Sequence, residues 1–353
     1  MTRVLFITQH FDPAHPLLAT TIPQIAALAR RVDEVVVLAD TIVPDALPPN
    51  VRARSFRAPT KIGRGLRFEQ ALARELPGLR GGAVITHMCP VYTVLAAPLV
   101  RPARIPLLLW YVHWLGHVVV RMAEKVATRI VTVPERSFPF PTDKLFTTGQ
   151  AIDVDSFSEP RVAVDGGPLR VLLVGRYTTA KRADVVLRAV RLALDRGVDL
   201  RLRVHGPAQD GPAQAERRSL EALVEELGLG GHVSIGSEIA RADFPRLLAE
   251  HDAFVNNARG GADRVVYEAA ASGLPVLASN PAHSDLLEPE LVFGHEDSEE
   301  LAERLVAMAA LSVGERDAIG ARLRERVARS HSVDSWAEGL LQAAGLAAQR
   351  SDA

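Results

Sequence analysis

Residues 170–205 read RVLLVGRYTTAKRADVVLRAVRLALDRGVDLRLRVH, and this stretch decides the fold. Arg170–Val174 predicts a strand, Ala183–Arg196 a helix and Asp199–His205 a second strand. Such alternation is typical of a mostly parallel sheet wrapped by helices. Because ligands of open α/β sheets sit outside the carboxyl ends of the strands, we expect the functional residues in loops that follow strands.

The same alternation runs through both halves of the chain. The first half predicts a helix over Thr21–Arg31 and strands over Val4–Thr8, Glu34–Leu38, Ala83–Thr86, Pro106–Tyr111 and Ile130–Val133. The second half adds helices over Ala213–Leu227, Asp243–His251, Val265–Ala271 and Trp336–Ala347 and strands over His232–Ile235, Ala253–Asn256 and Val276–Ala278. Val4–Thr8, the first strand of the chain, is a short apolar run without polar alternation, as in a strand covered on both faces.

An interrupted segment, Ser158–Pro168, separates the halves, since two prolines and two glycines break every periodic pattern there. A length of 353 residues also favours two domains. We therefore expect an α/β protein with two doubly wound, Rossmann-like domains, 1–160 and 161–330, that face a cleft. We expect the C-terminal helix within 331–353 to pack back on the first domain.

Composition and charge argue against several classes of protein. The net charge of −1 gives no indication of nucleic-acid binding, and with 48% hydrophobic residues each half can bury a core. Cys89 is the single cysteine, so no internal disulfide is expected, which fits a reducing cytosol. Val4–Ile7 is too short for a signal-peptide core, and Ile105–Val120 is shorter than a membrane span and predicts a buried strand followed by a helix. We expect a cytoplasmic protein without a transmembrane helix.

Several familiar signatures are missing from the sequence. No G-x-G-x-x-G follows the first strand and no G-x-x-x-x-G-K-[ST] occurs, which weakens a dinucleotide oxidoreductase or a P-loop ATPase. No Cys/His set has zinc spacing, and no G-x-S-x-G elbow is present.

The first candidate site is the loop Val174–Lys181, VGRYTTAK, which follows a predicted strand. Gly175 lets the chain turn sharply, and Arg176 and Lys181 then stand at the carboxyl end of the strand. A planar guanidinium and an ammonium point charge suit a diphosphate. Fixed cations would stabilise the negative charge that builds on a departing diphosphate. The alternative is a solvated basic loop before a helix.

The second candidate site is Arg259–Val276, RGGADRVVYEAAASGLPV. Glycines permit close approach of the backbone, and a helix begins near Arg264, where unpaired N–H groups favour phosphate oxygens. Glu268 lies about one turn further, where its carboxylate could accept hydrogen bonds from two ribose hydroxyls. The alternative, an ordinary exposed helix residue, fits poorly with its apolar neighbours.

These two segments and their separation resemble the donor site of retaining family 4 (group 1) glycosyltransferases of the GT-B fold. The resemblance covers about Leu169–Leu286 most strongly. Gly149–Phe157, Val204–Pro207 and Ile235–Ile239 resemble the N-G-V-D-x-x-x-F turn, the G-x-G-P loop and the F-x-G-x-V segment of that family. The resemblance implies transfer of a sugar, with retention of configuration, from a UDP- or GDP-type donor to an acceptor hydroxyl, with neither a cofactor nor a metal.

The resemblance also implies the residues of the site. Donor-binding residues would be Gly175, Ile239, Gly261, Asp263, Arg264, Val265 and Glu268, and catalytic residues His113, Arg176 and Lys181. Arg176 and Lys181 would hold the diphosphate and Glu268 the ribose. The backbone amides at the start of the helix would touch the distal phosphate, and Ile239 would lie beside the base. His113 resembles the active-site histidine of the family and would face the donor sugar, with His117 as a second candidate and a buried histidine as the alternative.

Two features depart from the family pattern. Gly260 stands where the family has the first glutamate of E-x7-E, and the nearest carboxylate, Asp263, is the candidate for contacts with the donor sugar. The glycine-rich loop usual after the first strand is replaced by Gln9–Pro16, QHFDPAHP. The polar side chains of this loop either shape the acceptor site or form a plain loop; they include His10, Asp12 and His15.

The acceptor is expected to be a sugar, a lipid-linked molecule or another small molecule. Val51–Arg80 is rich in arginine, so it either contacts anionic lipid headgroups as a peripheral protein or forms a solvated surface. Trp110, Tyr111 and Trp114 either stack on an acceptor sugar or belong to the core.

Two other functions stay open at this point. A nucleotide-sugar epimerase or hydrolase would use the same fold without an acceptor, and identification of the product would separate it from a transferase. A non-catalytic, two-domain module would bind a small ligand and return it unchanged with every acceptor.

Overall fold

The computed structural model describes residues 1–13, 15, 18–43, 47–162, 164 and 166–346. The chain divides into two compact units. The first comprises Met1–Asp153 and Ser330–Ala353, and the second comprises Val154–Arg329. The sequence predicts this boundary slightly later, at residue 160.

The first unit is built on a parallel sheet. Its strands are β1 (Arg3–Phe11), β2 (Glu34–Ile42), β3 (Val51–Ser55), β4 (Ala83–His87), β5 (Leu107–Trp110), β6 (Arg129–Thr132) and β7 (Leu145–Thr147). Its helices before the linker are α1 (Thr21–Ala29), α2 (Lys61–Glu75), α3 (Pro90–Val100) and α4 (Val118–Val126). Within the described residues the strands run in the order β3-β2-β1-β4-β5-β6-β7. Every residue of β4 is buried, as expected for a strand with helices on both faces.

The second unit repeats this architecture with a smaller sheet. Its strands are β8 (Leu169–Val174), β9 (Leu200–His205), β10 (Val233–Gly236), β11 (Ala253–Asn256) and β12 (Val276–Ala278). Its helices are α5 (Ala183–Asp195), α6 (Gly211–Glu226), α7 (Phe244–Ala249), α8 (Arg264–Ala271), α9 (Ser298–Ala310) and α10 (Val313–Ser330). All strand pairs are parallel, in the order β10-β9-β8-β11-β12. The order therefore reverses between β8 and β11, and such a point is where open α/β sheets bind ligands.

The last helix, α11 (Val333–Ala343), belongs to the first unit. Trp336 on this helix is fully buried, with its ring 6.3 Å from the Phe6 ring and 5.9 Å from the Trp110 ring. An aromatic side chain of this size contributes much apolar contact, which fixes α11 against the sheet. The helix begins before the predicted start, and the predicted end at Ala347 lies outside the described residues.

The structure confirms the α/β class with two parallel sheets and corrects several details. The bounds of β11 and β12 are as predicted, whereas β3, β7, α2, α9 and α10 were not predicted. The sequence does not predict β3, because arginines occupy alternate positions of this edge strand and leave it without an apolar run. The buried strand followed by a helix that Ile105–Val120 predicts is confirmed by β5 and the start of α4. A loop separates the two elements, and its residues Trp114 and Leu115 are about half exposed.

Candidate functional site

Two loops meet where the strand order of the second sheet reverses. One follows β8 and ends at Lys181, and the other follows β11 and leads into α8. The backbone N–H of Arg259 donates to the carbonyl of Ala180 at 3.2 Å, and the Lys181 ammonium forms an ion pair with the Asp263 carboxylate. The structure thus brings together residues of the two sequence motifs, although 82 positions separate Lys181 from Asp263.

Glycines allow this close packing. A Cβ at Gly206, in the loop after β9, would lie 1.8 Å from the carbonyl oxygen of Gly175, so no side chain fits there. A Cβ at Gly175 would lie 3.0 Å from Cε of Lys181, whose stem runs beside this turn. The absence of Cβ atoms therefore lets the two loop backbones touch and lets Lys181 lie across the end of β8.

Tyr177 anchors the loop after β8 to the neighbouring strands. Its ring is buried, and its hydroxyl donates to the carbonyl of Gly236, at the end of β10, at 2.6 Å. Burial raises the pKa of Tyr177 to about 12, so the phenol stays a neutral donor. Arg176, next to it, is exposed and forms no ion pair within the described part of the chain. Tyr177 is not among the site residues that the sequence predicts, since only its aromatic side chain distinguishes it within the motif.

The Asp263 carboxylate is held on one side. Its Oδ2 pairs with Lys181 and accepts a hydrogen bond from Nδ2 of Asn256 at 2.9 Å, while no described residue donates to Oδ1. Burial alone would raise the pKa of Asp263, but the Lys181 charge and the hydrogen bonds outweigh it and lower this pKa. Asp263 is therefore a carboxylate with one open oxygen at the start of α8.

The start of α8 follows a glycine turn fixed by an amide side chain. Gly260 has φ of 107°, a conformation that favours glycine. Nδ2 of Asn280 donates to the carbonyls of Gly260 and Gly261 at 3.1 and 3.2 Å. The first-turn amides of Arg264 and Val265 thus begin a helix whose amino end favours anions.

Glu268 is almost fully buried, and both of its oxygens have arginine partners. Nε of Arg264 donates to Oε1 at 2.8 Å, and Arg241 donates to Oε2 at 2.9 Å and to Oε1 at 2.7 Å. The Arg241 guanidinium also lies 5.5 Å from the Phe157 ring and 5.8 Å from the Phe244 ring. The alternative of an exposed helix residue is therefore wrong for Glu268. Arg241 lies just after the segment that ends at Ile239 and is not among the site residues that the sequence predicts.

The remaining predicted residues divide between the units. Ile239 is half buried in the loop after β10, in the second unit. His113 lies in the first unit after β5, where it is exposed and its Nδ1 accepts a hydrogen bond from the N–H of Leu115 at 3.1 Å. The alternative of a buried histidine is therefore wrong for His113. Its role at the donor sugar stays a prediction, as does that of His117, which is exposed just before α4.

The structure also shows part of the loop that follows β1 and the aromatic residues at the end of β5. The rings of His10 and His15 stack with centroids 4.5 Å apart, while Ala14 and Pro16 of this loop lie outside the described residues. Trp110 and Tyr111 are buried and belong to the core. No helix in the described ranges is both long and apolar enough to cross a bilayer.

Much of the second unit matches a protein-family model, and part of the chain is similar to curated proteins. Residues 168–310 match the family model described as glycosyl transferases group 1. WcaL of Escherichia coli K12, which carries the name of a colanic acid biosynthesis glycosyltransferase, is 29% identical over 202 residues, 53% of this chain and 47% of WcaL. D-inositol 3-phosphate glycosyltransferase of Streptomyces griseus is 32% identical over 199 residues, 50% of this chain and 41% of that protein. The chain thus matches about half the length of these curated relatives.

Similarity to solved structures covers nearly the whole chain. The crystal structure of HepE (Alr3699) from Anabaena in complex with UDP and glucose is similar with a TM-score of 0.74 and 17% identity, over 97% of this chain and 99% of HepE. At this level of identity the similarity shows the fold, which is that of the GT-B glycosyltransferase structures with two Rossmann-like domains.

Proposed function

We propose that this protein is a glycosyltransferase that transfers a sugar from a nucleoside diphosphate donor to an acceptor hydroxyl. The observation that carries the proposal is the ion pair between Lys181 and Asp263. It joins the loop after β8 to the start of α8 at the reversal of strand order, so that cations, a carboxylate and the helix amides converge there. The family match over the second unit and the UDP complex of HepE favour a UDP-sugar as the first donor to test, with a GDP-sugar second.

The donor diphosphate would lie between Arg176, Lys181 and the first turn of α8. Arg176 is exposed without an ion pair among the described residues, so its guanidinium can bind two phosphate oxygens. The ribose would lie at Glu268. Its hydroxyls would either donate to the carboxylate beside Arg241 or displace the Arg241 guanidinium from it. The open Oδ1 of Asp263 would accept a hydrogen bond from the donor sugar. It would thus replace the first glutamate of the E-x7-E motif, at whose position this chain has Gly260.

We further propose that transfer retains the anomeric configuration. The bond between the anomeric carbon and the phosphate oxygen breaks, and the acceptor oxygen bonds to that carbon on the same face. The departing diphosphate takes the acceptor proton, and Arg176 and Lys181 stabilise its charge, so that no metal is needed. Asp263 is bound by Lys181 and Glu268 by two arginines, which argues against either as the nucleophile of a two-step reaction.

Calorimetric titration with UDP, GDP and NAD tests the donor site. Wild type should bind one nucleoside diphosphate, and Glu268→Ala should lose that binding, while Arg188→Ala, an exposed position on α5, should not. Tight binding of NAD, or no binding of any nucleotide, would remove the proposal.

Identification of the product tests the reaction itself. With the donor sugar that binds and a panel of hydroxylated acceptors, NMR of the product should show a new glycosidic bond with the anomeric configuration of the donor. His113→Ala should slow this transfer, and treatment with EDTA should leave it unchanged. Release of free sugar or an epimerised nucleotide sugar would favour an epimerase or hydrolase, and return of unchanged donor with every acceptor would favour a binding module.

A further inference from the structure

A polar pocket lies in the first unit, at the carboxyl ends of β2 and β3. It has a volume of about 460 Å³ and is lined by Asp40, Arg57, Ala58, Pro59 and Arg64. Asp40 comes from the end of β2, Arg57 follows β3, and Arg64 lies in the first turn of α2. The pocket therefore has the position of a ligand site in an open α/β sheet, although the donor motifs lie in the other unit.

The cations of this region differ in what binds them. Arg52 and Arg54 form ion pairs with Glu75, and Arg52 also with Glu34, so their charges are compensated. Arg57 is exposed, and no described carboxylate forms an ion pair with it. Arg67, Arg74 and Arg80 of the arginine-rich segment likewise form no ion pair with a described carboxylate, but of these four arginines only Arg57 lines the pocket.

The other charged pair of the pocket is incompletely bonded. Nη1 of Arg64 lies 3.5 Å from Oδ2 of Asp40, too long for a good hydrogen bond. Nε of Arg64 and Oδ1 of Asp40 are both buried, and neither has a hydrogen-bond partner within the described residues. Buried polar atoms without partners cost free energy, so a ligand or water that reaches this donor and this acceptor would complete their hydrogen bonds.

His10, near the end of β1, pairs in the sheet with Thr41, the residue that follows Asp40. Burial and the charge of His15 lower the pKa of His10. A neutral imidazole can accept a hydrogen bond from a hydroxyl or donate one to an anion. The pocket therefore offers two guanidinium groups for an anion and acceptor atoms for hydroxyls.

We propose that this pocket binds the acceptor of the transferase through a phosphate group held by Arg57 and Arg64, with Asp40 accepting a hydrogen bond from a neighbouring acceptor hydroxyl. The inference rests on the proposed function, because it names the class of acceptor for that reaction. A guanidinium binds phosphate through two parallel hydrogen bonds, and two of them can neutralise a phosphate ester. The phosphate comes either from a soluble hydroxylated phosphate or from a phospholipid headgroup.

Glycerol 3-phosphate, glycerol and UDP serve as probes in calorimetric titrations of the full chain. Wild type should bind glycerol 3-phosphate and not glycerol. Arg57→Ala should weaken that binding at least about tenfold while leaving UDP binding unchanged. Arg74→Ala, which removes the same charge from an exposed position of α2, should change neither. Because Arg57 is exposed, its substitution should leave folding intact, which the UDP titration checks.

Flotation with vesicles of phosphatidylglycerol or phosphatidylcholine distinguishes the sources of the phosphate. Binding to phosphatidylglycerol vesicles that Arg57→Ala abolishes and Arg74→Ala keeps would assign a lipid headgroup, and binding of glycerol 3-phosphate alone would assign a soluble acceptor. If wild type binds neither probe, or if Arg57→Ala binds like wild type, the proposal is wrong, even where UDP binding upholds the donor site. If wild type binds neither UDP nor GDP, the result would instead count against the transferase itself, and if it binds GDP, GDP replaces UDP in these titrations.

Discussion

Arg241 binds the buried carboxylate of Glu268 through two hydrogen bonds, at 2.7 and 2.9 Å, across 27 positions of sequence. Arg264, one turn before Glu268 on α8, adds a third bond at 2.8 Å. A carboxylate with almost no solvent contact is stable as an ion only when partners of this kind replace water. Arg241 therefore links the turn before α7 to α8 and fixes the position of the predicted ribose ligand.

Arg241→Ala should lower the free energy of unfolding by roughly 1–3 kcal/mol, because Glu268 stays buried with only Arg264 as its partner. The value should be less than for a fully buried pair, since the Arg241 side chain is 36% exposed. Urea denaturation measures the change, and Arg246→Ala, on the surface of α7, should alter it by less than about 0.5 kcal/mol. Equal effects of the two substitutions would show that Arg241 does not stabilise the carboxylate.

The contacts of Arg241 also show where sequence reasoning ends. The loop Gly175–Lys181 and Glu268 could be found from the sequence, because strand ends, glycines and helix starts are local patterns. Arg241 and Tyr177 could not, because their roles depend on which strands lie side by side in the sheet. Periodicity likewise missed α10, whose buried positions are few among many charges.

Asp263→Asn should change how stability depends on pH. The pKa of Asp263 is lower in the folded chain than the value of about 3.9 in an unfolded one. Its ionised form therefore stabilises the fold fully above pH of about 4, and this contribution is lost as the pH falls through the folded pKa. The gap in unfolding free energy between wild type and Asp263→Asn should be largest at neutral pH and shrink below about pH 4.

Urea denaturation across this pH range measures the gap. Asp155→Asn, an exposed position in the same unit, serves as the control and should follow wild type throughout. A gap between wild type and Asp263→Asn that stays constant from neutral to acid pH would contradict the ion pair with Lys181.

Gly206→Ala should disrupt the contact between the loops after β8 and β9. The added Cβ would lie 1.8 Å from the carbonyl oxygen of Gly175, so the backbone has to move. We expect a loss of about 1–3 kcal/mol in unfolding free energy and weaker binding of the nucleoside diphosphate. Gly211→Ala, at the start of α6 where a Cβ meets no atom within 4 Å, should leave both unchanged or stabilise slightly.

The diphosphate contacts can be tested without knowing the acceptor, by comparing UDP with UMP. UMP lacks the β-phosphate, so wild type should bind it about tenfold to a hundredfold more weakly than UDP if charge-assisted bonds from Arg176 and Lys181 reach that group. In Arg176→Ala or Lys181→Ala the affinities for UDP and UMP should be more similar. The β-phosphate of UDP then lacks one of its cationic partners, so it adds less to the affinity. Arg188→Ala, which removes an exposed charge from α5, should keep the wild-type ratio. An unchanged ratio in all three variants would place the β-phosphate elsewhere, and GDP with GMP would replace the uridine pair if guanosine is the base that binds.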